Sequence, residues 1–218
     1  MLFVFREIVF EMGVQPIRRL SISGQVDSGG VLVVRGPSGS GKSTLLRILS
    51  RLRDCEGGEV FLKGEDWRRI PVTYWRSAVH YLAQRPVLFD GTIADNLSRP
   101  FEARIHSKSR FDPEKARDIL TSLMVDPGLW NQDARTVSGG EAARVAFARS
   151  ILIDPVVLIL DEPTSSLDDF SQKAFYSVLS AWLKSPEKAA ILVTHNNAYN
   201  YLPKVSFLDI DSNSGGDQ

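Results

Sequence analysis

The chain has 218 residues, 43% hydrophobic and 24% charged, the composition of an ordinary globular protein long enough for one large domain or two small ones. Its 26 basic residues balance 26 acidic ones, so net charge gives no case for nucleic acid or an acidic membrane face. Cys55 is the one cysteine, which excludes an internal disulfide and a cysteine-built zinc cluster, and no run approaches the ~20 apolar residues of a spanning helix.

The first residues, Met1-Leu2-Phe3-Val4-Phe5-Arg6, have no basic region ahead of the apolar ones and read as a first strand rather than a secretion signal. Strands are predicted over residues 2–10 and 17–22, then over the apolar stretch Val31–Arg35. Next comes Gly36-Pro37-Ser38-Gly39-Ser40-Gly41-Lys42-Ser43-Thr44, followed by a helix predicted over residues 42–52. This strand, glycine loop and helix form the context of a phosphate-binding loop. Glycines let the chain curl so that successive N–H groups face phosphate oxygens, and the helix start adds free donors. Lys42 is expected to reach the outer phosphates and the Ser43 hydroxyl to hold Mg²⁺.

Further strands are predicted over residues 59–62, 79–83, 156–160, 190–193 and 205–208. The last four, with Val31–Arg35, are apolar, rich in β-branched residues and separated by helical stretches. They predict an α/β fold with a parallel sheet covered on both faces, and the first two strands with residues 59–62 predict an antiparallel addition. Between residues 85 and 154 apolar positions recur at helical spacing (Ala116, Ile119, Leu120, Leu123, Met124), with Asp112 as N-cap and Pro113 at the first helical position. The expected organisation is a core lobe of residues 1–84 and 155–211, an inserted helical subdomain of residues 85–154, and a polar, frayed tail over 212–218.

Two further segments carry chemistry. Asp161-Glu162 closes an apolar strand. Side-chain alternation points adjacent acids differently, which suits Asp161 to the metal shell and Glu162 to general-base work on a water. Asp-Glu-Pro is equally good surface-turn chemistry. Ser138-Gly139-Gly140-Glu141 precedes a helix predicted over residues 142–152. It reads either as a simple N-cap or as a second phosphate site.

The phosphate loop, Gln84, Ser138-Gly139-Gly140-Glu141, Asp161-Glu162, Ser166-Leu167-Asp168 and His195, in this order and rough spacing, resemble an ATP-binding cassette (ABC) ATPase domain. The resemblance runs from about Phe3 to Leu208. It implies a P-loop NTPase that uses ATP and Mg²⁺, with two copies facing head to tail across two ATP molecules. Gly36, Ser38, Gly39, Ser40, Gly41, Lys42, Ser43 and Thr44 would hold one ATP. Ser138, Gly139 and Gly140 would contact, in trans, the ATP of the other copy, and Asp168 would lie at the seam. Ser43, Gln84 and Asp161 would hold Mg²⁺; Glu162, His195, Gln84 and Lys42 would carry the chemistry. Glu141 stands where such families usually have Gln; an acid near a triphosphate is not ideal, but its side chain can point away along the helix. The adenine-stacking aromatic has no clear match; Phe10 is the best candidate and reads equally as a core strand residue.

What the motor drives has two readings. It is either the energy-coupling subunit of a transporter, lying peripherally on the cytoplasmic face of the cell membrane and paired with a separate multi-spanning permease, or a soluble ABC ATPase such as an iron–sulfur cluster assembly component. In appearance the chain is similar to small stand-alone ATPases of the iron-export and aluminium-tolerance type, which adds metal-ion export to the first reading. Nucleic-acid partners are not implied.

Overall fold

The computed structural model describes residues 1–13, 17–106, 110–195 and 198–210. The predicted tail over 212–218 lies outside them.

Two sheets are built from β1 (Phe3–Met12), β2 (Arg18–Val26), β3 (Val31–Arg35), β4 (Gly57–Leu62), β5 (Glu65–Asp66), β6 (Val79–Leu82), β7 (Val157–Asp161), β8 (Ala189–Val193) and β9 (Val205–Asp209). The antiparallel sheet runs β2-β1-β4-β5, and the parallel sheet β6-β7-β8-β3-β9. Among the described residues six α-helices accompany them: α1 (Lys42–Leu49), α2 (Val72–Ala78), α3 (Ile93–Ser98), α4 (Pro113–Ser122), α5 (Gly139–Leu152) and α6 (Asp169–Leu183). The division into parallel and antiparallel strands is the predicted one, with β5 as an unforeseen edge.

Alternation along the parallel strands sorts the core into two layers. Val31, Val33, Leu158, Leu160, Ala190 and Leu192 pack with residues of α5 and α6. Leu32, Val34, Val157, Ile159, Ile191 and Val193 face the other way, onto α1 and the antiparallel sheet. Every residue of β7 and β8 is buried, which is why these segments read as unbroken apolar runs. In β1 the alternation breaks once. Glu7 takes a left-handed φ of 47° and its N–H donates to Ser23 Oγ at 2.8 Å. This bulge lets Phe5 and Ile8, an odd number of residues apart, enter the same core.

Helix boundaries differ from expectation where capping decides them. α1 stops at Leu49, not residue 52, because Arg51 turns left-handed (φ 55°). Arg51 N–H then donates to Ile48 O and Leu52 N–H to Arg47 O, satisfying carbonyls at the helix end. α5 begins at Gly139, three residues before the predicted start, so the two glycines form its first turn. α4 has the predicted cap: Asp112 Oδ1 accepts from Glu114 N and Lys115 N, with Pro113 at the first position. Ala116, Leu120 and Leu123 are buried as predicted, but Met124 is 55% exposed, its φ of 58° turning the chain out of the helix. Between residues 85 and 154 the described residues form α3, α4, α5, single 3-10 turns and one isolated bridge, Thr92 to Asp133.

Candidate functional site

The loop between β3 and α1 is shaped by two glycines. At Gly36 (φ 147°) a Cβ would lie 2.5 Å from Ile210 O and 2.6 Å from Ser40 Oγ; at Gly41 (φ 107°) it would lie 2.5 Å from Met12 Sδ. At Gly36 the clash is with backbone and the loop itself; at Gly41 it is with side chains beneath the loop, and the positive φ strains any side chain there. Lys42 opens α1, is 7% exposed, and donates from Nζ to Gly36 O at 2.8 Å and Pro37 O at 2.9 Å. Its ammonium thus closes the loop on itself. Ser40 Oγ is buried without a hydrogen-bond partner, an orphan that an incoming oxyanion could satisfy. Acidic residues are absent from the first turn of α1, so the helix's own N-terminus keeps its preference for an anion. A triphosphate fits this loop.

The strand ends supply the facing groups. Asp161 ends β7, is 3% exposed, and accepts from Ser43 Oγ at 3.0 Å (Oδ1) and Tyr81 OH at 2.8 Å (Oδ2). Glu162 has already left the strand, with a left-handed φ of 46° and its N–H donating to Val193 O at 2.9 Å. The two acids therefore diverge through a turn, not through the strand alternation expected from sequence. Glu162 Oε2 accepts from Gln84 Nε2 at 2.8 Å, and Oε1 lies 3.1 Å from His195 Nε2. Ser38, Gly39, Ser40, Gly41, Lys42, Ser43, Thr44, Gln84, Glu162 and His195 line one cleft of about 300 Å³, with Met12 at its edge. Among the described residues no group of three His, Cys, Asp or Glu side chains could enclose a metal. The pair Ser43 and Asp161 suits Mg²⁺, which takes one or two protein oxygens and completes its shell with phosphate and water.

A larger groove of about 1190 Å³, lined by Arg51, Arg68, Arg76 and others, lies elsewhere. The guanidinium groups of Arg51, Arg68 and Arg76 already donate to chain carbonyls: Arg51 to Trp67 and Ile70, Arg68 to Gly58, Arg76 to Arg51. It presents acids and bases mixed, with Glu7, Asp54, Glu56 and Glu59 among the arginines.

Ser138, Gly139 and Gly140 are not part of the 300 Å³ cleft; Ser138 and Gly139 are exposed at the start of α5. Glu141 does not point away along the helix. Its carboxylate folds back, accepting from Ser138 N at 2.8 Å and Ser138 Oγ at 2.7 Å, while Ser138 Oγ accepts from Glu141 N at 3.3 Å. This reciprocal cap satisfies two orphan donors, and the Ser138 hydroxyl holds the Glu141 carboxyl below its usual range. Gly140 sits against the next segment: a Cβ there would lie 3.3 Å from Ser166 O. Asp168 caps α6, accepting from Ser171 N at 2.9 Å and Ser171 Oγ at 3.0 Å; the Ser171 N–H lowers its pKa.

Phe10 is not available to a nucleobase. It is 2% exposed and packs beneath the loop, its ring edge 3.3 Å from where a Gly41 Cβ would stand. The core reading of that residue holds, because alternation along β1 after the Glu7 bulge turns position 10 inward. Met12, two residues on, is the β1 side chain that reaches the cleft. Sequence reasoning also missed Tyr81 and Arg47, whose signal was weak: an aromatic at one strand position and a basic residue on an ordinary helix.

A parallel sheet with a glycine loop opening α1, and acids at the end of a neighbouring strand, defines a P-loop nucleotide-binding protein. The family described as ABC transporter matches residues 20–165. "Protein STAR1" of Oryza sativa subsp. japonica is 41% identical over 171 residues, covering 78% of this chain and 49% of the rice protein. "Probable iron export ATP-binding protein FetA" of Escherichia coli (strain K12) is 32% identical over 186 residues, 85% of this chain and 81% of that protein. Among solved structures, the post-hydrolysis dimer of the ATP-binding cassette MJ0796 with ADP and Pi superposes with a TM-score of 0.81 at 22% identity, covering 96% of each chain, which establishes the shared fold. The chain belongs to the ABC transporter family, as an ATP-binding cassette. It spans about half the length of the rice relative.

Proposed function

We propose that the chain binds ATP with Mg²⁺, hydrolyses it, and powers a membrane transporter through ATP-driven head-to-tail dimerisation of two cassettes. The observation that carries this reading is the Glu162 carboxylate, held between Gln84 and His195 across the cleft from the phosphate loop. A carboxylate so placed can take a proton from a water if one of its oxygens is released. Ser43, Asp161 and Gln84 would hold Mg²⁺, which neutralises charge on the transferring phosphoryl group when bound. Recruitment of Gln84 towards the cation would free Glu162 Oε2 for the water, and His195 would hold the remaining oxygen. Lys42 would exchange its two loop carbonyls for phosphate oxygens.

The exposed Ser138 and Gly139 support contact in trans: a phosphate of the other copy would meet the open start of α5. Asp168, fixed by its cap beside Ser166 and Leu167, would stand at the seam. Core residues 1–84 and 155–211 and a helical subdomain of residues 85–154 would then be the two parts that move. In Glu141 this chain keeps an acid where the second phosphate would dock. Glu141→Gln retains the capping geometry and removes the charge. It is expected to lower the ATP concentration for half-maximal dimerisation several-fold, measured by light scattering in a Glu162→Gln background; an unchanged or raised concentration counts against the trans contact.

The membrane part would come from a separate multi-spanning subunit, placing the chain peripherally on the cytoplasmic face of the cell membrane. Among the described residues no helix is long and apolar enough to cross a membrane. Val87 is 72% and Phe89 43% exposed just beyond Gln84. Their backbone is nevertheless fixed: Asn96, fully buried, accepts from Phe89 N at 2.7 Å and donates to Phe89 O at 2.9 Å, and Arg149 of α5 donates to Val87 O at 3.1 Å. An exposed apolar edge on a fixed backbone supports docking of a partner's short helix. Metal-ion export is the cargo suggested by the relative named for iron export. Purification of the tagged chain from detergent-solubilised membranes is expected to bring down one multi-spanning protein in stoichiometric amount. A soluble complex without one would move the chain to the cluster-assembly class.

A further inference from the structure

We infer that Tyr81 is a positioning residue for the Asp161 carboxylate, fixing which of its oxygens faces the cation site. The inference rests on the reading of Ser43 and Asp161 as the Mg²⁺ pair. Asp161 is 3% exposed, so solvent does little to satisfy or orient it, and its two oxygens are divided between two donors. Ser43 Oγ, from the first turn of α1, takes Oδ1 at 3.0 Å; Tyr81 OH, from the neighbouring strand, takes Oδ2 at 2.8 Å. The torsion that turns a carboxylate about its Cβ–Cγ bond is broad and two-fold, so with one donor the group would sample a wide arc. With both, Oδ1 stays toward Ser43.

The phenol is itself placed by rigid elements. β6 pairs with β7 in parallel register, Tyr81 opposite Ile159 and Leu82 opposite Leu160, so the ring rides on the strand beside the one that ends in Asp161. Arg47 Nε, on α1, donates to the phenol oxygen at 3.5 Å. That contact leaves the hydroxyl proton for Asp161 and ties the same helix that carries Ser43 to both groups. A purely structural role would show as lost stability alone; a positioning role shows in the cation dependence of nucleotide binding.

The test compares Tyr81→Phe with the unsubstituted residue in full-length protein carrying Glu162→Gln, so that the probe, ATP, is not consumed. ATP affinity is measured calorimetrically in chelator and then with Mg²⁺ titrated in. Tyr81→Phe is expected to match within about twofold in chelator, which also shows that the loop is folded. Its Mg²⁺ midpoint for the gain in affinity should rise on the order of tenfold, the usual scale for losing a partner of a metal ligand. An unchanged Mg²⁺ midpoint overturns the inference, as does an equal loss of affinity with and without Mg²⁺. Absence of any Mg²⁺-dependent gain in the Tyr81 protein overturns the Ser43 and Asp161 reading itself, and the inference with it.

Discussion

Glu162→Gln is expected to bind ATP normally, to hydrolyse it about 10²- to 10⁴-fold more slowly, and to accumulate as an ATP-bound dimer. The change is nearly isosteric and falls outside the phosphate loop. Lys42, the glycines and the Ser43–Asp161 pair keep their contacts, so nucleotide affinity has no reason to fall. What disappears is the proton acceptor. An amide oxygen can still take the hydrogen bond from Gln84 Nε2 that Oε2 takes now, at 2.8 Å, but it cannot carry away a proton from water. If ATP bridges two copies, a block after binding traps the bridged state by mass action. Phosphate release measures the first effect and light scattering at saturating ATP the second. Hydrolysis within threefold of normal would remove Glu162 as the base. Slow hydrolysis in a strictly monomeric protein would leave the base in place and remove the sandwich.

That both halves of this prediction were open to sequence reasoning reflects how local the determinants are. Val31–Arg35, the glycine loop and Lys42 are consecutive, and their geometry follows from backbone rules. The central parallel strands β3, β7 and β8 were visible because burial on both faces leaves nearly unbroken apolar runs, as in Val157–Asp161. What stayed hidden depends on contacts across the chain. Phe10 is a plausible stacking ring in a list of residues, but one bulge at Glu7 resets the register of β1 and sends it under Gly41. Glu141 was read as free to point along its helix. The spacing from Ser138 was in fact that of a capping box, in which the acid folds back. Tyr81 and Arg47 gain meaning only once β6 is laid beside β7, a pairing that joins residues nearly eighty positions apart. The division of Asp161 from Glu162 was foreseen for the wrong reason: a left-handed turn, not the strand, separates them.

Lys42→Ala should lose ATP affinity and hydrolysis together, with affinity down at least a hundredfold. Two losses combine. The ammonium is the cation at the loop, and hydrogen bonds from charged donors are worth about 1.5–3 kcal/mol each. It also holds the loop closed in the absence of nucleotide, through Gly36 O and Pro37 O, so its removal leaves two carbonyls without that donor and relaxes the curl that Gly36 imposes. Lys42→Arg is expected to fail nearly as badly. A planar five-donor fork does not reproduce the compact ammonium that donates to both Gly36 O and Pro37 O. Thermal unfolding without nucleotide separates the terms. If the loop staple matters, Lys42→Ala melts below the unsubstituted protein even before ATP is added, and ATP no longer raises the midpoint. Near-normal hydrolysis by Lys42→Ala would overturn the assignment of the loop, because no other lysine lines the cleft formed by residues 38–44, Gln84, Glu162 and His195 among the described residues.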